Sequence, residues 1–243
     1  HGNRSVSSSS GSSDVLETLG VNLDVSPEQI AACVQEVGLG FMFAPAHHGA
    51  MKHAVGPRRE LGLRTLFNVL GPLTNPAGVK RQVLGVYDAA LCEPLAEVLA
   101  RLGSEHALVI HSDDGLDEIS IATPTRGFEL RAGDISPIEI DPAALGLAHT
   151  SLDGLQVESA AGSANLIRGA LAGDDDAVSI KARAIIALNA GAGIYVSGVV
   201  DSLASGVAAA EQATASGAAA QKLEAFVAFT QALVGEQGGA FAS

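Results

Sequence analysis

Hydrophobic and polar positions divide the chain into a first half of short mixed elements and an Ala-rich helical end. Ser26-Pro27-Glu28-Gln29 opens a helix, with Ser as N-cap, Pro in the first position and Gln three residues after the cap; it runs to about Gly38. Phe41-Met42-Phe43-Ala44 predicts a short buried strand stopped by Pro45, followed by helices at 47–55 and 57–69. Gly71-Pro72-Leu73-Thr74-Asn75-Pro76 predicts a loop, because two prolines, a glycine and an asparagine fall together. Strand-like Val83–Tyr87, a helical face of Leu91, Leu95, Val98, Leu99 and Leu102, and the apolar strand Ala107–Ile110 form a strand–helix–strand unit. A unit of this length implies a parallel pair with a right-handed crossover. Residues 119–121, 127–130 and 138–140 predict shorter, more polar strands, partly antiparallel. Helices are expected at 163–172, 178–196, 200–215 and 217–234, so the class is α/β with a heavily helical C-terminal portion.

Composition narrows the function classes. A chain of 243 residues with 47% apolar and 17% charged residues buries a sizeable core in one or two domains. A net charge of −13 argues against nucleic acid as a partner. Cys33 and Cys92 lack metal-ligand spacing and read as reduced core residues of a cytoplasmic protein. The apolar run Ala184–Val200 is interrupted by Asn189, Gly191, Gly193 and Ser197, which favours buried helix over membrane span. His1 opens the chain in the middle of a motif, which predicts a fragment or the ordered part of a longer protein.

Charge is segregated. Residues 41–81 hold Lys52, Arg58, Arg59, Arg64, Lys80 and Arg81 against Glu60 alone, a local +5 that leaves −18 for the remainder. A positive field in a negative protein suggests a site for a small anion. The acidic cluster His111-Ser112-Asp113-Asp114-Gly115-Leu116-Asp117-Glu118 follows the apolar strand, at the strand end where ligand sites in open sheets lie. Asp117 and Glu118 can each offer an oxygen to Mg²⁺; a solvated Asp-Gly turn is the competing reading. Residues 1–13 read either as a Gly/Ser linker or as a phosphate-cradling loop entering the helix that starts near Ser13. Arginine at 58, 59 or 64 suits bidentate carboxylate recognition or a solvated helix face. His47, His48 and His53 have poor spacing for a metal.

These motifs together resemble one family. His1-Gly2-Asn3-Arg4-Ser5, the serine run and Gly11-Ser12-Ser13-Asp14-Val15-Leu16-Glu17 are similar to the KHGNR…SSxxGSaDxLExLG segment of the anthranilate phosphoribosyltransferases. Phe43-Ala44-Pro45 through His48, Ala50-Met51-Lys52, Arg58, Leu61-Gly62, Arg64-Thr65, Phe67-Asn68 and Gly71–Pro76 resemble the second signature, and Asp114–Glu118 the third. The resemblance implies transfer of phosphoribosyl from phosphoribosyl pyrophosphate to anthranilate, in tryptophan biosynthesis, with Mg²⁺ as cofactor and a homodimer as the assembly. It implies that His1, Gly2, Asn3, Arg4, Ser5, Val6, Ser7, Ser8 and Ser12 surround phosphoribosyl pyrophosphate. Asn3, His48, Arg58 and Gly71 would line the anthranilate site, and Asp117 and Glu118 would hold the metal. No general base is assigned. The implied fold is α/β, a central mostly parallel sheet flanked by helices, with part of a smaller helical domain. The implied division is 1–45 and 80–243 in the α/β domain and 46–79 in the helical one.

The family's GTGGD loop, most of the helical domain, a Mg²⁺-binding Ser and the Lys before His1 are not in this sequence, and Pro57 stands where a small apolar residue is expected. The expectation is therefore that the chain alone is weakly active or inactive. A pyrimidine nucleoside phosphorylase of the same fold is the competing enzyme reading, but its substrate-loop signatures differ from HGNR and DGLDE. A non-catalytic binding homologue would have little need of the Asp117–Glu118 pair.

Overall fold

The computed structural model describes residues 1–3, 11–47 and 71–237. The helices expected at 47–55 and 57–69 lie outside these residues apart from His47, as does much of the expected 46–79 division. Two compact units emerge, one within 1–68, 157–172 and 217–243, the other within 69–156 and 173–216.

The second unit is built on a four-stranded sheet in the order β1-β2-β3-β4: β1 Arg81–Gly85, β2 His106–Ser112, β3 Thr125–Arg131 and β4 Asp134–Ile140. β1 and β2 are parallel, joined through a 3₁₀ turn and a helix at Cys92–Arg101, as the strand–helix–strand pattern predicts. β2–β3 and β3–β4 are antiparallel, so the sheet is mixed and not mostly parallel. The two-residue link Ala132-Gly133 makes β3–β4 a hairpin, and the 113–124 connection contains no helix to carry the chain across for a parallel return. Pro137 sits on β4, which has a neighbour on one side only among the described strands, where a missing N–H costs no ladder bond.

β2 is buried almost throughout. Its residues alternate between two cores, as a pleated strand must. Leu108 and Ile110 join Ile119, Ile121, Ala184, Leu188, Ala192, Val196 and Val207 on one face, while Ala107 and Val109 join Leu84, Cys92, Leu95, Ala96 and Leu99 on the other. The helix at Cys92–Arg101 covers the second face, and the helix at Ala177–Ser197 covers the first, backed by the helix at Leu203–Ala215. In chain order the described helices are α1 Ser12–Leu19, α2 Pro27–Val37, α3 Ala44–His47, α4 Cys92–Arg101, α5 Ala160–Ala172, α6 Ala177–Ser197, α7 Leu203–Ala215 and α8 Ala218–Gln237. α6 is long and apolar enough to cross a membrane, with a mean hydropathy of 1.3 over its most apolar stretch, yet its inner face packs on β1, β2 and α7. A Cβ on Gly206 would lie 2.2 Å from the Gly191 carbonyl oxygen, so α6 and α7 meet nearly backbone to backbone.

In the first unit α2 packs on α8 and α1 on α5. Val21, Leu23, Cys33, Val37 and Phe226 form its core. Ser26 caps α2 through the Gln29 N–H while Gln29 returns a bond to the Ser26 N–H, the reciprocal cap expected from sequence. Both cysteines are free and buried, and burial pushes the Cys92 thiol up to about 11, which makes it inert.

Some local expectations are corrected. Phe41–Ala44 is a half-buried stretch with one bridge, Phe43 to Gly2, and not a buried strand. Pro45 lies inside α3, where a first-turn proline loses no helical hydrogen bond. Gly71–Leu73 is helical, with the turn beginning at Thr74. Ile119–Ile121 forms no strand although both isoleucines are fully buried.

Asp176 caps α6 by accepting the Val178 and Ser179 N–H groups, each at 3.0 Å. Hydrogen bonds from Ser179, side chain first, hold its carboxyl below the ordinary 3.8. A depressed pKa contributes stability above the unfolded-state value and loses it as pH falls through the folded-state value. Asp176→Ala is expected to lower the unfolding temperature at neutral pH. The gap from the parent should close once pH drops below the Asp176 folded-state pKa; thermal melts at the two pH values check this.

Candidate functional site

The loop after β2 sorts its four acids by partner. Asp113 pairs with Arg126, which also donates to Glu139 at 2.9 Å. Asp114 accepts the Ser120 hydroxyl at 2.6 Å. Asp117 and Glu118 are exposed, and among the described residues neither makes an ion pair. Crowding by the surrounding protein, and next the Asp117 charge, push the Glu118 carboxyl above the ordinary 4.5. Two adjacent carboxylates without an ion pair among the described residues, one resisting ionisation, suit a divalent cation. Among the described residues no three acidic, His or Cys side chains are placed to hold a metal ion by themselves. A cation held by this pair would complete its shell with water and substrate oxygens, the habit of Mg²⁺.

The backbone of this loop is fixed at several points. The Ser112 hydroxyl donates to the Glu118 carbonyl at 2.5 Å and lies 2.6 Å from the Thr125 hydroxyl, which accepts the Ser120 N–H at 3.1 Å. Gly85, the last residue of β1, lies under Asp117: a Cβ there would sit 1.6 Å from the Asp117 carbonyl oxygen. Gly85, Ser120 and Thr125 were not singled out by the sequence, because a close backbone approach and hydrogen bonds across a folded loop leave no periodic pattern.

In the first unit, residues 1–3 and the start of α1 come together. Gly2 donates to the Met42 carbonyl at 3.1 Å and accepts the Ala44 N–H at 2.8 Å. A Cβ on Gly2 would lie 2.5 Å from the Ser12 hydroxyl, so two residues expected around one substrate are neighbours. Asn3 is exposed beside them. Gly11 is the N-cap of α1 and has no side-chain oxygen for the first-turn N–H groups, and its own N–H goes to Asp14 at 2.9 Å. A helix start of this kind accommodates an anion. Arg4, Ser5, Val6, Ser7 and Ser8, with His48 and Arg58, lie outside the described residues. Gly71 is half-buried in a helical turn whose Leu73 packs on the α4 face of the sheet.

Two members of the basic island have structural duties. Arg81 pairs with Glu105 at 3.2 Å and donates to the Val196 carbonyl at the end of α6, and the Lys80 ammonium reaches the Leu102 carbonyl at the end of α4. Cations at helix C-termini satisfy free carbonyls. The described part of the +5 field is thus committed to helix ends.

The sequence profile of the glycosyl transferase family a/b domain matches residues 1–220. An anthranilate phosphoribosyltransferase of Teredinibacter turnerae is 60% identical over 230 residues, covering 95% of this chain and 67% of that protein. That of Saccharophagus degradans matches with the same identity and coverage. Among solved structures, anthranilate phosphoribosyltransferase from Thermus thermophilus superimposes with a TM-score of 0.86 at 42% identity, covering 95% of this chain and 68% of that one. The Saccharomyces cerevisiae enzyme in complex with PRPP and Mg superimposes with a TM-score of 0.82 at 26% identity, over 96% and 64% of the two chains. The chain therefore spans about two thirds of the length of these relatives.

Gly85→Ala places a methyl group where the Asp117 backbone now lies, and the loop must move to admit it. Overpacking of this kind costs roughly 1–3 kcal/mol. The expected outcome is a lowered denaturation midpoint together with weaker protection of the 113–118 amides from hydrogen exchange.

Proposed function

The chain belongs to the anthranilate phosphoribosyltransferase family of glycosyl transferases, and from that premise we propose that it transfers phosphoribosyl from phosphoribosyl pyrophosphate to the amine of anthranilate. The observation that carries the reading is the pair Asp117 and Glu118. Among the described residues it is the part of an acidic loop at the carboxyl end of β2 that makes no ion pair, and it lies inside a motif of the family.

In the proposed reaction the bond from the ribose anomeric carbon to pyrophosphate breaks and a bond to the anthranilate nitrogen forms. The nitrogen loses a proton, and pyrophosphate leaves with the electron pair. The transition state resembles an oxocarbenium ion. Asp117 and Glu118 would hold Mg²⁺, which when bound supplies charge neutralisation on the leaving pyrophosphate. The segment His1–Ser8, with Ser12, is proposed to surround the phosphoribosyl group. Asn3, His48, Arg58 and Gly71 are proposed to orient anthranilate, with Arg58 on its carboxylate, which lowers the entropic part of the barrier. The amine is weakly basic, so its proton is lost without a strong base and none is assigned. Assembly as a homodimer is carried by the resemblance alone.

The test uses the full-length protein. Anthranilate fluorescence should fall when phosphoribosyl pyrophosphate and Mg²⁺ are added. Phosphate-dependent release of a pyrimidine base in its place would favour the phosphorylase reading. Asp117→Asn combined with Glu118→Gln should reduce turnover by at least about 100-fold, the scale of losing a charge-stabilising group, while the circular dichroism spectrum stays unchanged. Full turnover in that double variant refutes the metal assignment.

A further inference from the structure

We propose that Asn189 of α6 is a positioning residue for the metal carboxylates: its amide grips the backbone that follows Glu118 and sets where Asp117 and Glu118 stand. The proposal rests on the reading of that pair as the Mg²⁺ site.

Ile119 is fully buried, lies beyond the end of β2 and belongs to no strand. Its N–H and C=O therefore lack ladder partners, and buried backbone groups without partners are costly. Asn189 supplies both. Its Oδ1 accepts the Ile119 N–H at 2.9 Å and its Nδ2 donates to the Ile119 carbonyl at 2.9 Å. The same Nδ2 donates to the Ile185 carbonyl one turn back, also at 2.9 Å. Two carbonyls facing one end of the amide and an N–H facing the other leave one sensible orientation for the group.

The consequence falls on a single peptide plane. The Glu118 carbonyl and the Ile119 N–H belong to the same rigid amide. Ser112 holds the carbonyl end and Asn189 holds the N–H end. The preceding plane, carrying the Asp117 carbonyl, is backed by Gly85. Both carboxylate-bearing residues thus hang from peptide planes fixed by the sheet on one side and by α6 on the other. Ser112 has one proton, committed to the Glu118 carbonyl, so the Thr125 hydroxyl donates to Ser112. The relay runs from the Ser120 N–H through Thr125 and Ser112 to Glu118.

The test is calorimetric binding of phosphoribosyl pyrophosphate to the full-length protein without anthranilate, titrated with Mg²⁺. Groups that orient metal ligands cost about tenfold or more in metal affinity when removed. Asn189→Ala should therefore raise the Mg²⁺ concentration for half-maximal binding about tenfold, with binding restored at excess Mg²⁺ and the anthranilate KM little changed. Asn189→Asp, which keeps the shape and the acceptor but loses the donor, should shift the midpoint in the same direction and serves if the Ala variant does not fold. An unchanged Mg²⁺ midpoint in a folded variant overturns the proposal, whatever happens to its melting temperature. The Asp117→Asn, Glu118→Gln protein separates the two claims. If it keeps its Mg²⁺ dependence, the metal assignment and this inference both fall. If it loses that dependence while the Asn189 variants match the parent, the inference alone fails.

Discussion

Burial of β2 on both faces is the constraint from which the rest of its unit follows. A strand whose alternate residues enter two separate cores needs a cover on each side. α4 supplies one and α6 the other. The strand ends at Ser112, and the chain beyond must leave the sheet while burying Ile119 and Ile121 under α6. That exit brings backbone into an apolar layer with no neighbouring strand. Side chains therefore do there what a ladder does elsewhere, with Ser112, Thr125 and Asn189 as the substitutes. The loop carrying Asp117 and Glu118 is rigid because its base is anchored in the best-buried part of the unit.

Partnering, more than charge count, separates structure from candidate chemistry here. Asp113 and Asp114 have Arg126 and Ser120. Lys80 and Arg81 complete helix ends. What remains is a carboxylate pair, one member of which is harder to ionise than an ordinary glutamate. The sign matters. A carboxyl with a raised folded-state pKa contributes stability below its unfolded value and loses it as pH rises through the folded value. At neutral pH the ionised Glu118 carboxylate therefore works against the fold.

Much of this was legible in the sequence, for identifiable reasons. The α2 cap, the β1–α4–β2 unit and the four C-terminal helices are written in local periodicity and capping chemistry, which need no tertiary information. The Asp117–Glu118 pair could be named as a candidate because its motif is contiguous. Ile119–Ile121 misled because an alternating apolar triplet looks the same whether its partner is a strand or a helix surface. The sheet's mixed character was half-hidden, since only the chain reversals between β2, β3 and β4 reveal it. Asn189 was visible merely as an interruption in an apolar run. Its meaning depends on Ile119, 70 residues away, a pairing that no local pattern encodes.

α6 reconciles two demands that conflict in most helices. To cover the sheet it must be apolar, and it is apolar enough to resemble a membrane span. To hold the loop it must also present one amide at one depth. Small residues make the second demand compatible with the first. With Gly191 facing Gly206, α7 approaches α6 nearly backbone to backbone at that crossing. A helix held that rigidly can carry one polar residue on its inner face, because the position of that residue is fixed to within hydrogen-bond tolerance. The Asn costs little there, since every polar atom of its amide meets a backbone partner. The close α6–α7 contact and the grip on Ile119 are thus one device: the first supplies the precision that the second requires.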